Sequence, residues 1–124
     1  MFKIYAKWAL MASTVLVSGL LAGCNSGPQT LYQWESYQPE VYEYFKGEEP
    51  KEAQAEALER DLQKIRSTGR TPPPGYHAHL GLLYLSMGKD DQMVQQFNTE
   101  KALFPESGPY MDFLLKNAKT GDAK

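Results

Sequence analysis

The sequence has little of what metal, redox and nucleic-acid chemistry require. It contains one cysteine and two histidines in 124 residues, and its formal net charge is −2. One thiol excludes an internal disulfide and a cysteine-rich zinc site, and the lack of a basic excess gives no indication of a nucleic-acid partner. His77 and His79 are two residues apart on a predicted helix, so their side chains point about 200° apart and cannot chelate one metal ion. We therefore expect no nucleic-acid partner, no metal and no cofactor.

Catalytic motifs are also lacking. No nucleophile elbow, phosphate-binding glycine loop or zinc motif surrounds the serine and acidic residues. The acidic residues are spread through predicted helices, which is typical of solvated faces. We therefore predict that the protein is not an enzyme.

Charge is unevenly distributed along the chain. Residues 1–23 hold two of the 13 basic residues and none of the 15 acidic ones, so residues 24–124 carry a formal charge of −4. A short basic segment, residues 1–7, precedes an uncharged and mostly apolar run over residues 8–23. This run is too short for a comfortable membrane span but is typical of a signal peptide. We predict that residues 1–23 are a signal peptide that is cleaved.

The end of this segment, Leu21-Ala22-Gly23-Cys24, resembles the lipobox of bacterial lipoproteins. There, small residues before a cysteine allow a dedicated peptidase to cleave on its N-terminal side. The resemblance implies that Cys24 carries a covalent lipid that anchors the protein to a membrane. By the usual sorting pattern, Asn25 in the next position favours the outer membrane, with the domain in the periplasm. The alternative is an ordinary signal peptide or an anchor helix with an incidental cysteine.

Residues 24–30 are predicted to be the lipidated cysteine and a tether. Residues 25–30 are mostly turn-forming and polar. Six residues span roughly 20 Å when fully extended, so the folded part would stay near the membrane surface.

Aromatic residues are concentrated directly after the tether. Residues 31–46 hold six of the 15 aromatic residues. These rings could cover one side of a small helical core, or form an exposed surface for a protein partner, since Tyr and Trp are favoured anchors of interfaces. We predict that some rings pack inward and at least one stays exposed. The candidate partner-binding residues are Tyr32, Trp34, Tyr37, Tyr42 and Tyr44.

Apolar periodicity predicts helices over the rest of the chain, and no strand pattern competes after residue 47. A short helix over residues 39–45 ends at Gly47. A longer helix over about residues 50–67 ends near Gly69. Its apolar stripe consists of Ala55, Leu58, Leu62 and Ile65.

Residues 76–104 predict a helical hairpin. Its first helix ends at Gly88, Asp90 caps the second helix, and Pro105 ends it. A last helix follows, with Ser107 as its cap. His77 is expected to be a packed ring and His79 a surface ring. The residues expected to face inward are Tyr76, Leu80, Leu83, Tyr84, Met87, Met93, Val94, Phe97 and Phe104 in the hairpin, and Tyr110, Phe113 and Leu114 in the last helix.

The hairpin resembles a tetratricopeptide-type repeat. The positions that carry this resemblance are Leu80, Gly81, Tyr84, Gly88, Phe97 and Pro105. Three positions depart from the pattern: His77 stands where Trp is usual, and Met93 and Glu100 replace small alanines. The prediction is an all-α fold, with a helical domain over residues 31–118 and a frayed tail over residues 119–124.

The whole mature chain resembles a family of small bacterial lipoproteins of unknown function. Residues 31–34, 41–44, 73–84 and 100–107 carry the resemblance. Members of that family are typically encoded beside another lipoprotein and beside lipoproteins similar to CsgG, the outer-membrane channel that secretes curli subunits. The resemblance therefore implies an accessory role in an outer-membrane export or assembly system, with a CsgG-like protein as partner.

Two functions are compatible with these observations. The first is a membrane-anchored periplasmic interaction module, whose hairpin and aromatic segment dock on a membrane-proximal partner. The alternative is a structural lipoprotein that works alone and binds a peptide or an envelope polymer on its helices.

Overall fold

The computed structural model describes residues 30–121, with side chains up to Ala118. Five α-helices follow one another in this part of the chain, with no strand among them, so the predicted all-α fold is confirmed. Predictions for the signal peptide, for Leu21, Ala22 and Gly23, and for the lipid on Cys24 lie outside the described residues. The helices are α1 Tyr37–Lys46, α2 Lys51–Ser67, α3 Tyr76–Ser86, α4 Asp90–Leu103 and α5 Gly108–Gly121.

The helix ends follow the predicted breakers. Gly47 caps α1, and Gly69 lies two residues after the end of α2. Gly88 separates α3 from α4 with a φ of 69°, a backbone conformation that costs a residue with a side chain at least about 1 kcal/mol. Pro105 opens a short 3-10 turn, Pro105–Ser107, that leads into α5.

The core is built on the predicted stripe of α2. Ala55, Leu58, Leu62 and Ile65 are all buried. They pack with α3, whose Tyr76 also donates a hydrogen bond from its hydroxyl to the Leu58 carbonyl at 2.9 Å. The i, i+3, i+7, i+10 spacing therefore identified the buried face of this helix correctly.

The α3–α4 hairpin is the most closely packed part of the fold. A Cβ built on Gly81 would lie 2.5 Å from the ring of Phe97, so only glycine allows these two helices to approach so closely. Leu80, Tyr84 and Phe97 are buried around this contact. The residues that suggested the repeat thus lie at the helix contact, in the turn or directly after α4.

Glu100 is the main correction within the hairpin, because the acidic residues were expected to be solvated. Its side chain is 1% exposed. The carboxylate accepts hydrogen bonds from the backbone N–H groups of Gly75 at 2.6 Å, His77 at 3.1 Å and Ala78 at 3.3 Å. The first turn of a helix has N–H groups without helical partners and carries partial positive charge. Glu100 of α4 therefore caps α3, whose own cap residue, Gly75, has no side chain to do so.

The predicted cap of α4 is wrong. Lys89 precedes α4 and Asp90 is its first residue, with no side-chain cap hydrogen bond. Ser107 directly precedes α5, as predicted. Its hydroxyl donates back to the Phe104 carbonyl at 2.7 Å and so closes the 3-10 turn between the two helices.

The orientation of α5 also differs from the prediction. Tyr110 and Phe113 are each 58% exposed, whereas Met111 is buried. Met111, Leu114, Leu115 and Ala118 face the core, because the 3-10 turn sets the angle at which α5 begins. The helix reaches Gly121, so the tail predicted over residues 119–124 begins within it and otherwise lies outside the described residues.

Candidate interaction surface

The first described segment, residues 31–46, forms an arm that lies on the helical body; we call it the N-terminal arm. Gln33 donates its backbone N–H to the carbonyl of Thr71 at 3.0 Å. Ser36 donates its backbone N–H to the carboxylate of Asp61 at 2.9 Å, and its hydroxyl to the same carboxylate oxygen. Directional polar bonds over long sequence separations therefore fix the entry to α1.

Glu35 occupies a strained position in this entry. It is the one non-glycine residue with positive φ, at 42°, in the part of the chain that the structure describes. Lys64 donates a hydrogen bond to its carboxylate at 2.7 Å. This bond, together with one from Gln33, holds the pKa of the Glu35 carboxyl below its usual value. The arm's path is therefore maintained by contacts with α2 and not by local preference.

Two of the five candidate partner-binding rings pack inward. Tyr37 stacks on Tyr76 with ring centroids 5.1 Å apart, and burial raises the pKa of its hydroxyl. Tyr44 contacts the edge of His79 at 5.2 Å. Both rings serve to attach α1 to the body, which is the core role that the sequence left open for them.

His79 was expected at the surface and is instead buried beneath α1. Burial lowers the pKa of its ring to about 4, and the nearby charge of Lys51 acts in the same direction. The Lys51 ammonium lies 4.0 Å from the centroid of the Tyr44 ring. A neutral imidazole is thus enclosed between two helices and an aromatic ring, in a place where a second positive charge would be costly.

The packing beneath α1 leaves polar atoms unpaired. Glu40 Oε2, Gln54 Oε1 and His79 Nε2 are buried without a hydrogen-bond partner in the described part of the chain. These atoms belong to α1, α2 and α3. A buried polar atom without a partner costs free energy, so the contact between α1 and the body is less favourable than the packing within the hairpin.

Tyr32 connects the start of the arm to the residue that directly follows α4. Its ring contacts the buried ring of Phe104 edge-on, with centroids 5.9 Å apart. The ring is half-buried. Tyr32 therefore supports the arm and presents only part of its surface to solvent.

The two remaining candidate rings are exposed. Trp34 is 41% exposed and Tyr42 is 65% exposed. Phe45, three residues after Tyr42 on α1, is 81% exposed, and Leu31 at the start of the arm is similarly open. We call Leu31, Trp34, Tyr42 and Phe45 the outer arm residues. Scattered exposed apolar residues are common, but four within 15 residues are typical of a recognition segment.

A second exposed apolar group was missed from the sequence. Tyr110 and Phe113 lie on the outer side of α5 with their rings stacked, centroids 6.4 Å apart, and Leu103 at the end of α4 is 43% exposed. Their i, i+3 spacing was read as an inward face. The sequence signal against that interpretation was a second apolar stripe on α5, which consists of Met111, Leu114, Leu115 and Ala118.

Within residues 30–121, no three His, Cys, Asp or Glu side chains are grouped so that they could hold a metal ion. None of the helices in that range is long and apolar enough to cross a membrane.

Comparison with known protein families identifies a match over most of the chain. Residues 31–114 match a family described as a domain of unknown function (DUF4810). No curated protein and no solved structure is significantly similar to the chain. The match begins at the first outer arm residue and ends within α5, so it covers the arm and nearly the whole helical body.

Proposed function

The chain belongs to the DUF4810 family, whose function is unknown, and we propose that it is a membrane-anchored interaction module of the bacterial cell envelope. The observation that carries this proposal is the set of outer arm residues. They are large, apolar and exposed on a segment that the body holds in one position. A rigidly held aromatic surface loses little conformational entropy on binding, which favours protein recognition.

The anchor is the second part of the proposal. Cys24 lies seven residues before Leu31, so a lipid on Cys24 would keep the arm within roughly 25 Å of the bilayer. At about 0.8 kcal/mol for each buried CH₂, two or three acyl chains would anchor the protein essentially permanently. By the lipobox resemblance and Asn25, the membrane is the outer membrane and the domain lies in the periplasm.

The partner is the third part. The resemblance to lipoproteins encoded beside CsgG-like proteins supports a CsgG-like lipoprotein, itself close to the membrane. The protein would then be an accessory component of an export or assembly system. Its role would be to bind and position another protein, with no chemistry of its own.

Chemical crosslinking in cells, followed by recovery of the protein from membranes, tests the partner. We expect the unmodified chain to recover a channel-type lipoprotein in stoichiometric amount. The double variant Trp34→Ala, Tyr42→Ala should lose that partner, because each ring is a large exposed anchor. The matched control, Tyr110→Ala with Phe113→Ala, removes two exposed rings from α5 and should retain it.

Each other outcome contradicts part of the proposal. Retention of the partner by the arm variant would move the interface away from the arm. Recovery of glycan or free peptide instead of a protein would favour a stand-alone binding function. Equal labelling of the wild-type chain and Cys24→Ser with a fatty-acid analogue would contradict the lipid anchor.

A further inference from the structure

A polar groove lies between α2, α3 and α4, on residues that the arm does not use. Its volume is about 240 Å³, and it is open to solvent on one side. Pockets that enclose drug-sized ligands are roughly 300–1,000 Å³, so this groove fits a smaller group or a short stretch of a longer chain. Its lining comes from all three helices: Glu59, Leu62, Gln63, Arg66, Leu80, Tyr84, Gln95 and Gln96.

The groove has an apolar floor and a rim with an excess of hydrogen-bond donors. Leu62 and Leu80 are buried and form apolar lining. Around them stand one guanidinium and three glutamine amides. Arg66, Gln63 and Gln95 are exposed, and their side chains have no hydrogen bond or ion pair to other described residues. These donors are therefore available to a ligand.

A hydrogen bond with His77 holds the side-chain amide of Gln96 in one orientation. Its Oε1 lies 2.6 Å from Nδ1 of His77. His77 is buried, and because an amide oxygen can only accept, Nδ1 of this ring is the donor. The oxygen of Gln96 is thereby engaged, and its NH₂ group remains to donate.

The groove lining also contains one carboxylate, that of Glu59, which is engaged through one of its two oxygens. The hydroxyl of Tyr84 donates to Oε1 of Glu59, whereas Oε2 can still accept a hydrogen bond from a main-chain N–H of a ligand. Among the described residues, Arg66 makes no ion pair. The groove thus offers one unpaired guanidinium beside several amides, which together suit an acceptor-rich ligand.

From this lining we infer that the groove is a binding site for a peptide segment that carries a carboxylate. A guanidinium binds a carboxylate through two parallel hydrogen bonds. Glutamine side chains have the same donor and acceptor groups as a peptide unit, so they can bond a neighbouring main chain. The apolar floor accommodates the aliphatic part of the segment. This inference goes beyond the proposed function and requires neither the lipid nor the outer arm residues.

An NMR titration of the full chain in detergent micelles tests the groove. The probe is acetyl-Ala-Glu-Ala-amide, and its uncharged counterpart is acetyl-Ala-Gln-Ala-amide. We expect saturable amide shifts confined to the groove segments of α2, α3 and α4 with the Glu peptide. Binding of the Gln peptide should be at least about fivefold weaker, as for loss of one charge-assisted hydrogen bond. The difference should shrink as salt is added.

Arg66→Gln should abolish the preference for the Glu peptide while the spectrum of the free protein stays folded. Arg60→Gln is the matched control, because Arg60 is exposed on the same helix, outside the groove and near Glu40. It should leave the preference unchanged.

Three results would overturn the inference. The first is equal binding of both peptides, and the second is an undiminished preference in Arg66→Gln. The third is groove shifts caused by an N-acetylglucosamine disaccharide but not by the Glu peptide, which would identify a glycan site. The arm variants are expected to bind the Glu peptide normally, so failure of the partner proposal does not produce any of these results.

Discussion

The N-terminal arm and the α3–α4 hairpin are attached to the protein by different kinds of contact. In the hairpin, Leu80, Tyr84 and Phe97 are buried, and Gly81 lets the helices touch. In the arm, no residue of α1 is fully buried. It is held by hydrogen bonds to side chains and loops and by two half-buried tyrosines.

This difference in contacts assigns stability to the hairpin and recognition to the arm. Closely packed apolar side chains contribute most of the free energy of folding, so the hairpin is expected to be the most stable element. The arm has fewer buried contacts and unpaired polar atoms beneath it, so it is expected to be less stable than the hairpin, although it is held in one position in the folded state. The exposed rings of the arm are thus available for binding because the fold does not depend on them.

Truncation at the centre of the hairpin should have the largest effect. Phe97→Ala removes a fully buried ring that fills the space beside Gly81. We expect a loss of about 3–5 kcal/mol in the free energy of unfolding, measured by urea denaturation. A loss below about 1 kcal/mol would show that the hairpin is not the stable half of the molecule.

Removal of the buried Glu100 carboxylate, which caps α3, should have the second-largest effect on the free energy of unfolding. Glu100→Ala leaves three backbone N–H groups at the start of α3 without their acceptor, and we expect a loss of about 2–4 kcal/mol. Glu106→Ala, at an exposed position on the 3-10 turn, is the control and should change stability by less than about 0.5 kcal/mol. Equal effects of the two would contradict the capping role.

Acidification should weaken the contact beneath α1. The unfolded chain binds a proton at His79 near pH 6.5, whereas the folded chain does so only near pH 4. The unfolded state therefore holds more protons in this window, and stability is lost as the pH falls from 6.5 to 4, by up to about 3 kcal/mol. Hydrogen exchange measured across this range should show α1 losing protection before α4.

The control for the pH effect is His79→Leu, which should lose most of this pH dependence. His77 and Glu35, whose pKa values are also lowered, act in the same direction and account for what remains. Glu40, whose pKa burial raises, acts in the opposite direction. An unchanged pH profile in His79→Leu would show that His79 is not the responsible group.

Changes to the exposed rings should have the smallest effect on stability. Tyr42→Ala and Phe45→Ala each remove a ring that is mostly in solvent. We expect melting temperatures to shift by no more than the equivalent of about 0.5 kcal/mol. Tyr37→Ala, in the same arm but stacked on Tyr76, should destabilise clearly more. Similar losses in all three would mean that the arm's outer and inner faces are not distinct.

Much of the fold could be predicted because its signals are local. The stripe of α2, the breaks at Gly47 and Gly88 and the contact at Gly81 all follow from spacing or from backbone conformation. Except for the contact between Gly81 and Phe97, which are 16 residues apart, such features depend on residues within a few positions of one another. They were therefore readable without knowing which helices meet.

The features that the sequence analysis missed depend on contacts between residues far apart in the chain. Glu100 and Gly75 are 25 residues apart, as are Ser36 and Asp61, so nothing in the local pattern could pair them. The depth of His79 depends on where α1 crosses α3, and the exposure of Tyr110 depends on the angle at which α5 begins. The donor-rich groove likewise exists only because three helices converge on it.

The order of residues therefore determined which segments are helical, where they end and which side of α2 is buried, since periodicity and backbone conformation act over a few residues. The assignment of each polar or aromatic side chain to core, cap or surface was made by the packing of the helices. Burial, pairing and exposure are properties of non-local contacts, and these exist only after the chain has folded.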